Sequence, residues 1–236
     1  MNTAAVEHPV RARLGSWPYE PDVAHLVLLD HHMVPDASDV ARWIVEARAT
    51  GARALRTGAL FAASTPAFHE AGFEMIDRLR LLELDPSGAP SARDGAPNRL
   101  RRLRPSMLDE ASRVDRRAFG APWANDAAAL GDIMSATPHH RSRCVQLDGR
   151  MVAFAISGRA GPWGYIQRLA VDPSAQRVGL GRALVDDAVR WMRRRHVARV
   201  LVNTASDNVA ALSLYRSYGF DDRPDDLTIL ERALRS

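Results

Sequence analysis

The chain has 236 residues, of which 46% are hydrophobic, so it is long enough to bury at least one core. Its formal net charge is +4, and its 32 basic residues are all arginine. Without lysine, the chain has no Walker phosphate loop, no Schiff-base nucleophile and no anchor for pyridoxal phosphate. No apolar run reaches the roughly 18 residues of a membrane span, and "MNTAAVEHPV" has no signal-peptide core, so we expect a cytoplasmic protein without a membrane partner.

Hydrophobic periodicity predicts a βαβαβ order in the first part of the chain. The predicted elements are a strand at 23–30, a helix at 37–49, a strand at 52–57, a short helix at 64–73 and a strand at 78–84. Residues 85–98 are rich in proline, glycine, serine and alanine, and this composition predicts a linker.

The part after the linker mixes antiparallel strands with a βαβ unit, so the pattern predicts an α+β sheet. The turn Asp148-Gly149 joins the first two long strands of this part. The predicted elements are a strand at 99–104, helices at 106–118 and 125–135, strands at 142–147, 151–157 and 164–171, a helix at 179–195, a strand at 198–204, a helix at 208–217 and a strand at 226–233.

The segment "QRVGLGRAL", residues 176–184, places two glycines where the helix after strand 164–171 begins. The N-terminus of a helix exposes backbone N–H groups and about half a positive charge, so it can bind phosphate where side chains leave access. We expect Gly179 and Gly181 to provide that access. Leu184 stands where a dinucleotide fingerprint has its third glycine, which excludes that motif. A glycine-rich helix cap without a ligand remains the alternative at this point.

The segment "NTASDNVAALSLYRSYGF", residues 203–220, places Asn208 and Tyr215 seven positions apart. That spacing is close to two helical turns, so both side chains lie on one face. A phenol with a pKa of about 10 can protonate a departing thiolate. Taken alone, the pattern favours a packed aromatic residue at Tyr215.

Together these two segments resemble the GNAT superfamily of acetyl-coenzyme A-dependent N-acyltransferases over residues 99–236. The matching motifs are Q-x-x-G-x-G from Gln176 to Gly181 and N-x-x-A-x-x-L-Y-x-x-x-G-F from Asn208 to Phe220. The resemblance implies the acyl-coenzyme A N-acyltransferase fold, a mixed central sheet flanked by helices, and acetyl-coenzyme A as co-substrate.

The family's functional residues can be placed on the matching positions of this chain. The resemblance implies that the loop's backbone amides hold the coenzyme diphosphate, that the strand before the loop pairs with the pantetheine arm, and that Asn208 orients this arm. It also implies that Tyr215 protonates the thiolate, so Asn208 and Tyr215 are the expected catalytic residues. The expected cofactor-binding residues are Leu169, Ala170, Val171, Gln176, Arg177, Val178, Gly179, Leu180, Gly181, Arg182, Ala183, Asn208 and Tyr215.

Many members of the family carry a glutamate that acts as the general base. At the corresponding positions this chain has Tyr165 and Asn203, so it departs from the family there. An α-amine with a pKa of about 8 loses its proton more readily than a lysine side chain at about 10.4. We therefore expect an amine of low pKa that is deprotonated through water. His139 and His140, in a predicted loop, either assist or are merely solvated.

Residues 1–84 are interpreted as a degenerate, partial copy of the catalytic unit, with chance similarity of two amphipathic βαβ units as the alternative. The aligned pairs are Trp43 with Trp191, Arg53 with Arg199, Gly72 with Gly219 and Phe73 with Phe220. The copy has no glycine loop at 30–41, and Phe68 stands opposite Tyr215. We therefore predict a half-domain at 1–84, a linker at 85–98 and a catalytic domain at 99–236, a plan similar to that of tandem GNAT proteins.

Three other features are interpreted as structural. "DHH" at 30–32 is not expected to bind metal, because adjacent side chains of an extended segment point in opposite directions. "RLRRLR" at 99–104 lacks interleaved aromatic residues and is interpreted as an exposed strand face, so no nucleic-acid partner is expected. Cys144 is expected to be a packed thiol.

The sequence therefore predicts an N-acetyltransferase in which a primary amine attacks the thioester directly. "AFGAPW", residues 118–123, is similar to the proline–tryptophan segment of ribosomal-protein alanine acetyltransferases and favours a protein N-terminal α-amine as acceptor. A small-molecule amine and a non-catalytic acyl-coenzyme A sensor are the alternatives, and a homodimer is left open. In "FDDRPDDL", residues 220–227, Asp225 and Asp226 form either an acidic rim that attracts a cationic acceptor or a solvated turn.

Overall fold

The computed structural model describes residues 10–29, 33–89 and 100–234, and these form two compact units. The first unit consists of the described residues up to Leu79 together with those from Asp225 onward. The second unit runs from Arg80 to Pro224. No helix in the described ranges is both long enough and apolar enough to cross a membrane.

The helices and strands have the following bounds in chain order. The first half of the chain contains β1 (Ala12–Trp17), β2 (Glu20–Leu28), α1 (Ala37–Ala49), β3 (Ala54–Thr57), β4 (Leu60–Phe61), α2 (Pro66–Glu70) and β5 (Glu74–Leu84). The second half contains β6 (Arg101–Arg102), α3 (Leu108–Phe119), α4 (Ala127–Ser135), β7 (His139–Leu147), β8 (Arg150–Ala160), β9 (Trp163–Val171), α5 (Leu180–Arg193), β10 (Arg199–Ala205), α6 (Val209–Tyr218), β11 (Asp221–Asp222) and β12 (Leu227–Ala233).

The first unit is a sheet in the order β1-β2-β3-β12-β5, with α1 and α2 packed against it. Helix α1 connects the parallel strands β2 and β3, and its apolar face buries Val40, Trp43 and Ile44. The Trp43 ring stacks on Phe68 of α2 at 6.0 Å between ring centroids. Apolar residues at helical spacing therefore place both helices on the same core.

The start of the first unit was not predicted. Strand β1 pairs with β2 as an antiparallel hairpin, with Tyr19 in its turn at a φ of 61°. Gly15 and Ser16 interrupt the apolar alternation of β1, so its sequence carries a weak strand pattern. The strand predicted at 23–30 corresponds to β2.

The second unit is a mixed sheet in the order β5-β10-β9-β8-β7-β6, to which β5 contributes its residues 80–84. Strands β7, β8 and β9 are antiparallel neighbours, and β9 and β10 are parallel and joined by α5. Phe154 and Ile156 of β8 pack with α3 and α4, whereas the alternate residues Ala153 and Ala155 pack with α5. The period of two along β8 thus places helices on both faces of the sheet.

The compact units differ in their bounds from the predicted domains at 1–84 and 99–236. The C-terminal strand β12 pairs with β3, β4 and β5 of the first unit, where Leu230 is buried among residues of α1 and α2. Residues 80–84 lie in the second unit, where Leu82 and Leu84 are buried with α5 and α6. We call this arrangement, with β12 in the first unit and residues 80–84 in the second, the exchange of strands. Hydrophobic periodicity identifies strands but not their partners, so the sequence did not predict it. Of the predicted linker at 85–98, residues 90–98 lie outside the described residues.

Two local expectations in the second unit were wrong. The predicted strand at 99–104 is reduced to Arg101 and Arg102, because a 3-10 turn begins at Pro105. Both arginines are exposed, as expected. His139 and His140 lie in β7, paired with Arg159 and Gly158, rather than in a loop.

The order β2-α1-β3-α2-β5 in the first half repeats as β9-α5-β10-α6 and the strands that follow. The ends of α2 and α6 make the same hydrogen bond: the Phe73 N–H donates to the Phe68 carbonyl at 3.0 Å, and the Phe220 N–H donates to the Tyr215 carbonyl at 3.0 Å. Gly72 and Gly219, just before these phenylalanines, have φ angles of 81° and 110°. Helix ends of this type are common, so the internal repeat stays a prediction.

Candidate active site

Strands β9 and β10 of the second unit separate partway along their length. Their parallel register covers only three pairs, from Arg199 with Trp163 to Leu201 with Tyr165. On the other side of β9, Ile156 pairs with Arg168 and Ser157 with Ile166, so Gln167 is an extra residue in a β-bulge. A bulge bends its strand, and this one lies where the pairing with β10 ends. The edge of β9 from 168 to 171 therefore has no partner strand on the β10 side within the described chain.

The glycine loop follows β9 directly and leads into α5. The Gln176 side-chain amide donates to the Val171 carbonyl at 3.2 Å, which ties the loop to the end of the strand. Arg177 and Gly179 have φ angles of 64° and 87°, and Gly179 is the N-cap of α5. The N–H groups of the first helical turn have no acceptor within the helix, and no side chain of the described residues caps them. This helix start can therefore bind an anion.

The structure gives the two glycines of the loop different roles. At Gly179 a Cβ would meet open space, but the positive φ favours glycine. At Gly181 a Cβ would lie 3.1 Å from Leu214 Cδ2 of α6 and 3.8 Å from Val171 Cγ2. Gly181 thus permits close packing of α5 on α6, which differs from the expectation that both glycines open a path for phosphate.

Asn208 is the N-cap of α6 and follows the end of β10 by three residues. Its side-chain oxygen accepts the Ala211 N–H at 3.1 Å and caps the helix. Within the described residues the side-chain NH₂ group has no protein acceptor, so it is available to donate to a ligand. The cap and the donor role use opposite ends of the same amide.

Tyr215 lies on α6 and is 5% exposed. Its ring packs edge-on against Phe220 at 5.6 Å, and its hydroxyl has no hydrogen-bond partner among the described residues. Burial raises the pKa of Tyr215 above its usual value, and the charge of Arg168 partly opposes that effect. The phenol is therefore protonated at neutral pH.

Tyr218, one turn further along α6, differs from Tyr215 in its hydroxyl. The Tyr218 hydroxyl donates to the Asp186 carboxylate of α5 at 3.1 Å, and Arg182 lies 5.3 Å from its ring centroid. Tyr218 therefore links α6 to α5, whereas the hydroxyl of Tyr215 is uncommitted within the described structure.

The structure supplies no carboxylate base at the positions considered. Tyr165 lies on β9 before the bulge, and burial raises the pKa of its phenol. Asn203 lies exposed on β10, in the part that has separated from β9. His139 and His140 lie on β7, which β8 separates from β9, so the structure does not bring the histidines to the cleft.

One charged group beside the cleft was missed in the sequence. Arg168 of β9 forms a bidentate pair with Asp115 of α3, with both nitrogen–oxygen distances at 2.7 Å. Its guanidinium also donates to the Trp123 carbonyl at 2.8 Å and lies 3.5 Å from the Phe119 ring centroid. The available signal was a charged residue inside the largely apolar strand "YIQRLAV".

The remaining candidates lie elsewhere. Asp225 and Asp226 belong to the first unit, whereas the candidate site belongs to the second. The acidic rim at the acceptor entrance therefore stays a prediction. Cys144 is buried among apolar residues, and burial raises the pKa of its thiol, in agreement with a packed residue. The "DHH" segment at 30–32 lies outside the described residues, and the described ones contain no group of three or more His, Cys, Asp and Glu suited to a metal ion.

Comparison with known proteins places this site in context. Residues 107–220 match the model of the acetyltransferase (GNAT) family. The chain is 32% identical over 125 residues to the [ribosomal protein bS18]-alanine N-acetyltransferase of Escherichia coli K12, and the match covers 53% of this chain and 82% of the relative. It is 29% identical over 175 residues to a mycothiol acetyltransferase of Amycolatopsis mediterranei, covering 66% of this chain and 58% of the relative.

The fold of nearly the whole chain also has a precedent. A tandem GNAT protein from the clavulanic acid biosynthesis pathway superposes with a TM-score of 0.65 at 17% identity. The superposition covers 95% of this chain and 79% of the other. At that identity the likeness concerns the fold, and it includes the first half of the chain.

Proposed function

The chain belongs to the GNAT family of acetyltransferases, and on that basis we propose that it transfers an acetyl group from acetyl-coenzyme A to the α-amine of a protein or peptide N-terminus. The observation that carries the proposal is the cleft between β9 and β10, which opens beside the uncapped start of α5. The cleft exposes a strand edge and the helix start exposes N–H groups. An extended acyl donor with a phosphate group at one end fits this combination.

The residues around the cleft suit acetyl-coenzyme A. The unpaired edge of β9 at Leu169, Ala170 and Val171 offers backbone N–H and C=O groups to the amides of the pantetheine arm. The diphosphate would then reach the N–H groups between Arg177 and Arg182. The Asn208 amide group can donate to the same arm from α6.

The transfer needs one bond to form and one to break. The neutral amine nitrogen attacks the thioester carbonyl carbon, the C–N bond forms, and the C–S bond breaks with its electron pair on sulfur. Tyr215 gives its proton to the departing thiolate, water takes the proton that the attacking nitrogen loses, and water returns a proton to the Tyr215 phenolate before the next turnover. Because Tyr165 and Asn203 supply no carboxylate, an acceptor of low pKa is favoured.

An N-terminal α-amine fits this requirement better than a lysine side chain. Its pKa of about 8 leaves a useful neutral fraction near pH 7, whereas a lysine at about 10.4 is almost fully charged. The likeness to the Escherichia coli bS18-alanine enzyme supports an alanine at the acceptor N-terminus. A small-molecule amine is the second candidate, supported by the likeness to mycothiol acetyltransferase.

We propose that the first unit does not bind coenzyme. Helix α1 begins at Asp36, whose carboxylate accepts the Asp39 N–H at 2.9 Å, while the Asp39 carboxylate accepts the Asp36 N–H at 3.5 Å. This capping box occupies N–H groups and adds negative charge where α5 leaves its helix start open. Phe68 occupies the position in α2 that Tyr215 occupies in α6, and it has no hydroxyl.

The experiment compares acceptors at a fixed concentration of acetyl-coenzyme A, with release of free thiol as the readout. The panel contains an alanyl peptide with an internal lysine, the same peptide with a blocked N-terminus, and a set of small amines. The proposal expects thiol release with the open peptide and none with the blocked one. Turnover of the blocked peptide or of small amines alone would contradict it. Because the protein has no lysine, acetylation of its own side-chain amines cannot add to the signal.

A further inference from the structure

In the ion pair between Arg168 and Asp115, the carboxylate is buried in the second unit and the Arg168 side chain is 17% exposed. Asp115 is 0% exposed, and its carboxylate accepts both the Nε and Nη2 groups of Arg168 at 2.7 Å. It also accepts the backbone N–H of Asn125 at 2.6 Å. The buried carboxylate of Asp115 requires hydrogen bonds of this kind, because an unsatisfied charge in the interior is strongly destabilising.

The pair connects three parts of the unit. Asp115 and Phe119 belong to α3, Arg168 belongs to β9, and Asn125 and Trp123 lie in the segment between α3 and α4. The Trp123 carbonyl accepts from Arg168 at 2.8 Å. The segment from Gly120 to Asn125 is therefore fastened to β9 at one carbonyl and one N–H through the same pair of charges.

The position of Arg168 places this fastening beside the reacting groups. Arg168 directly follows the bulged Gln167 and directly precedes Leu169, so it stands where the acyl end of a donor lying along β9 would reach. Its charge also acts on the phenol of Tyr215. The fastened segment thus borders the place where the proposed transfer occurs.

We propose that the Arg168–Asp115 pair is a positioning pair that holds the segment Gly120–Asn125 as one wall of the acceptor subsite. Neither charged residue needs to touch the amine, because each acts through the backbone of Trp123 or Asn125. The inference rests on the proposed function, since it assigns the acceptor side of that same site. The wall suits the extended N-terminal end of a peptide, because its carbonyl and N–H positions are fixed by the pair.

The test separates acceptor binding from donor binding. Arg168→Lys keeps the positive charge but loses the planar fork that makes the bidentate pair and the Trp123 bond. The matched control is Arg141→Lys, because Arg141 of β7 makes a bidentate pair with Asp187 of α5 at 2.6 and 2.8 Å, on the opposite face of the sheet. The measurements are the KM of the alanyl peptide and the Kd of acetyl-coenzyme A.

The inference expects Arg168→Lys to raise the peptide KM by about tenfold to a hundredfold, as a misplaced positioning group does, with the Kd of acetyl-coenzyme A unchanged. Hydrogen exchange of the amides at 120–126 should rise in the same variant. Arg141→Lys should change neither the KM nor that exchange. A matching change of KM and Kd, or an unchanged KM, overturns the inference.

A second variant keeps the inference testable if Arg168→Lys does not fold. Arg168→Met combined with Asp115→Leu replaces both charges with apolar groups, which in buried pairs is often neutral for stability. This folded double variant should show the same raised peptide KM, and a wild-type KM would overturn the inference. A wild-type protein that acetylates no amine refutes the proposed function and this inference with it. An active wild type with an unaffected Arg168→Lys variant refutes this inference alone.

Discussion

Replacing Tyr215 by phenylalanine removes one oxygen atom from α6 and leaves the packing of the ring on Phe220 in place. Since the hydroxyl has no hydrogen-bond partner among the described residues, its loss should change the free energy of unfolding by less than about 1 kcal/mol. If Tyr215 is the proton donor to the thiolate, kcat should fall by about 10²–10⁴-fold, the usual contribution of general acid catalysis. The Kd of acetyl-coenzyme A should stay at the wild-type value.

Tyr218→Phe is the matched control, because it removes the same atom from the same helix. The Tyr218 hydroxyl donates to Asp186, so this change should lower the free energy of unfolding by about 1.5–3 kcal/mol, the usual contribution of a hydrogen bond to a charged group, while Asp186 keeps its ion pair with Arg190 at 2.9 Å. Its kcat should stay within a few-fold of wild type. Stability is measured by urea denaturation and turnover by thiol release with the alanyl peptide. If Tyr215→Phe turns over at the wild-type rate, or if Tyr218→Phe is the slower variant, the assignment of the acid is wrong.

Three further predictions address the donor site, the pH dependence and the exchange of strands. Val178 is 56% exposed beside the open start of α5, so Val178→Glu should weaken acetyl-coenzyme A binding by at least about tenfold through charge repulsion. The control is Val45→Glu, at a 64% exposed valine on α1, which should leave the Kd of acetyl-coenzyme A unchanged. Both Kd values are measured by calorimetry. With the alanyl peptide, kcat/KM should rise with pH as the amine loses its proton near pH 8. It should then stay level to about pH 10, because the raised pKa of Tyr215 keeps the phenol protonated there. A fall of kcat/KM centred near pH 8 would contradict this. A fragment of residues 99–236 lacks Leu82 and Leu84 of the core around α5 and α6, so it should unfold at a clearly lower urea concentration than the full chain, and equal midpoints would contradict the exchange of strands.

The elements around the cleft were predictable because their signals are local. Helix α5 was predicted at 179–195 and begins at Leu180, since glycines at its start and an apolar stripe along it specify a helix with an open end. Strand β9 was predicted at 164–171 and begins one residue earlier. In each case the pattern depends on residues close together in the chain.

The features that depend on partners far along the chain were not predictable in the same way. The bulge at Gln167 exists only in the register of β9 against β8, and no property of Gln167 alone indicates it. Arg168 and Asp115 are 53 residues apart, so their pairing appears only in the folded unit. The place of β12 beside β3 is likewise a matter of strand partners. A single sequence specifies which residues form strands far better than which strands adjoin.

The glycines illustrate the same limit at atomic scale. The motif identified Gly179 and Gly181 together, and their spacing suggested a common reason for both. Only the contact with Leu214 distinguishes the packing role of Gly181 from the conformational role of Gly179. The side chain that requires a glycine at 181 belongs to another helix.

A crystal structure of the protein with acetyl-coenzyme A tests the assignment of the coenzyme to the cleft between β9 and β10. The diphosphate should lie within hydrogen-bond distance of the N–H groups between Arg177 and Arg182, and the pantetheine arm should pair with β9 from Leu169 to Val171. The thioester sulfur should lie within reach of the Tyr215 hydroxyl. A coenzyme that binds elsewhere, for example at the start of α1, or a thioester on the far side of β9 from Tyr215, would show that this assignment is wrong.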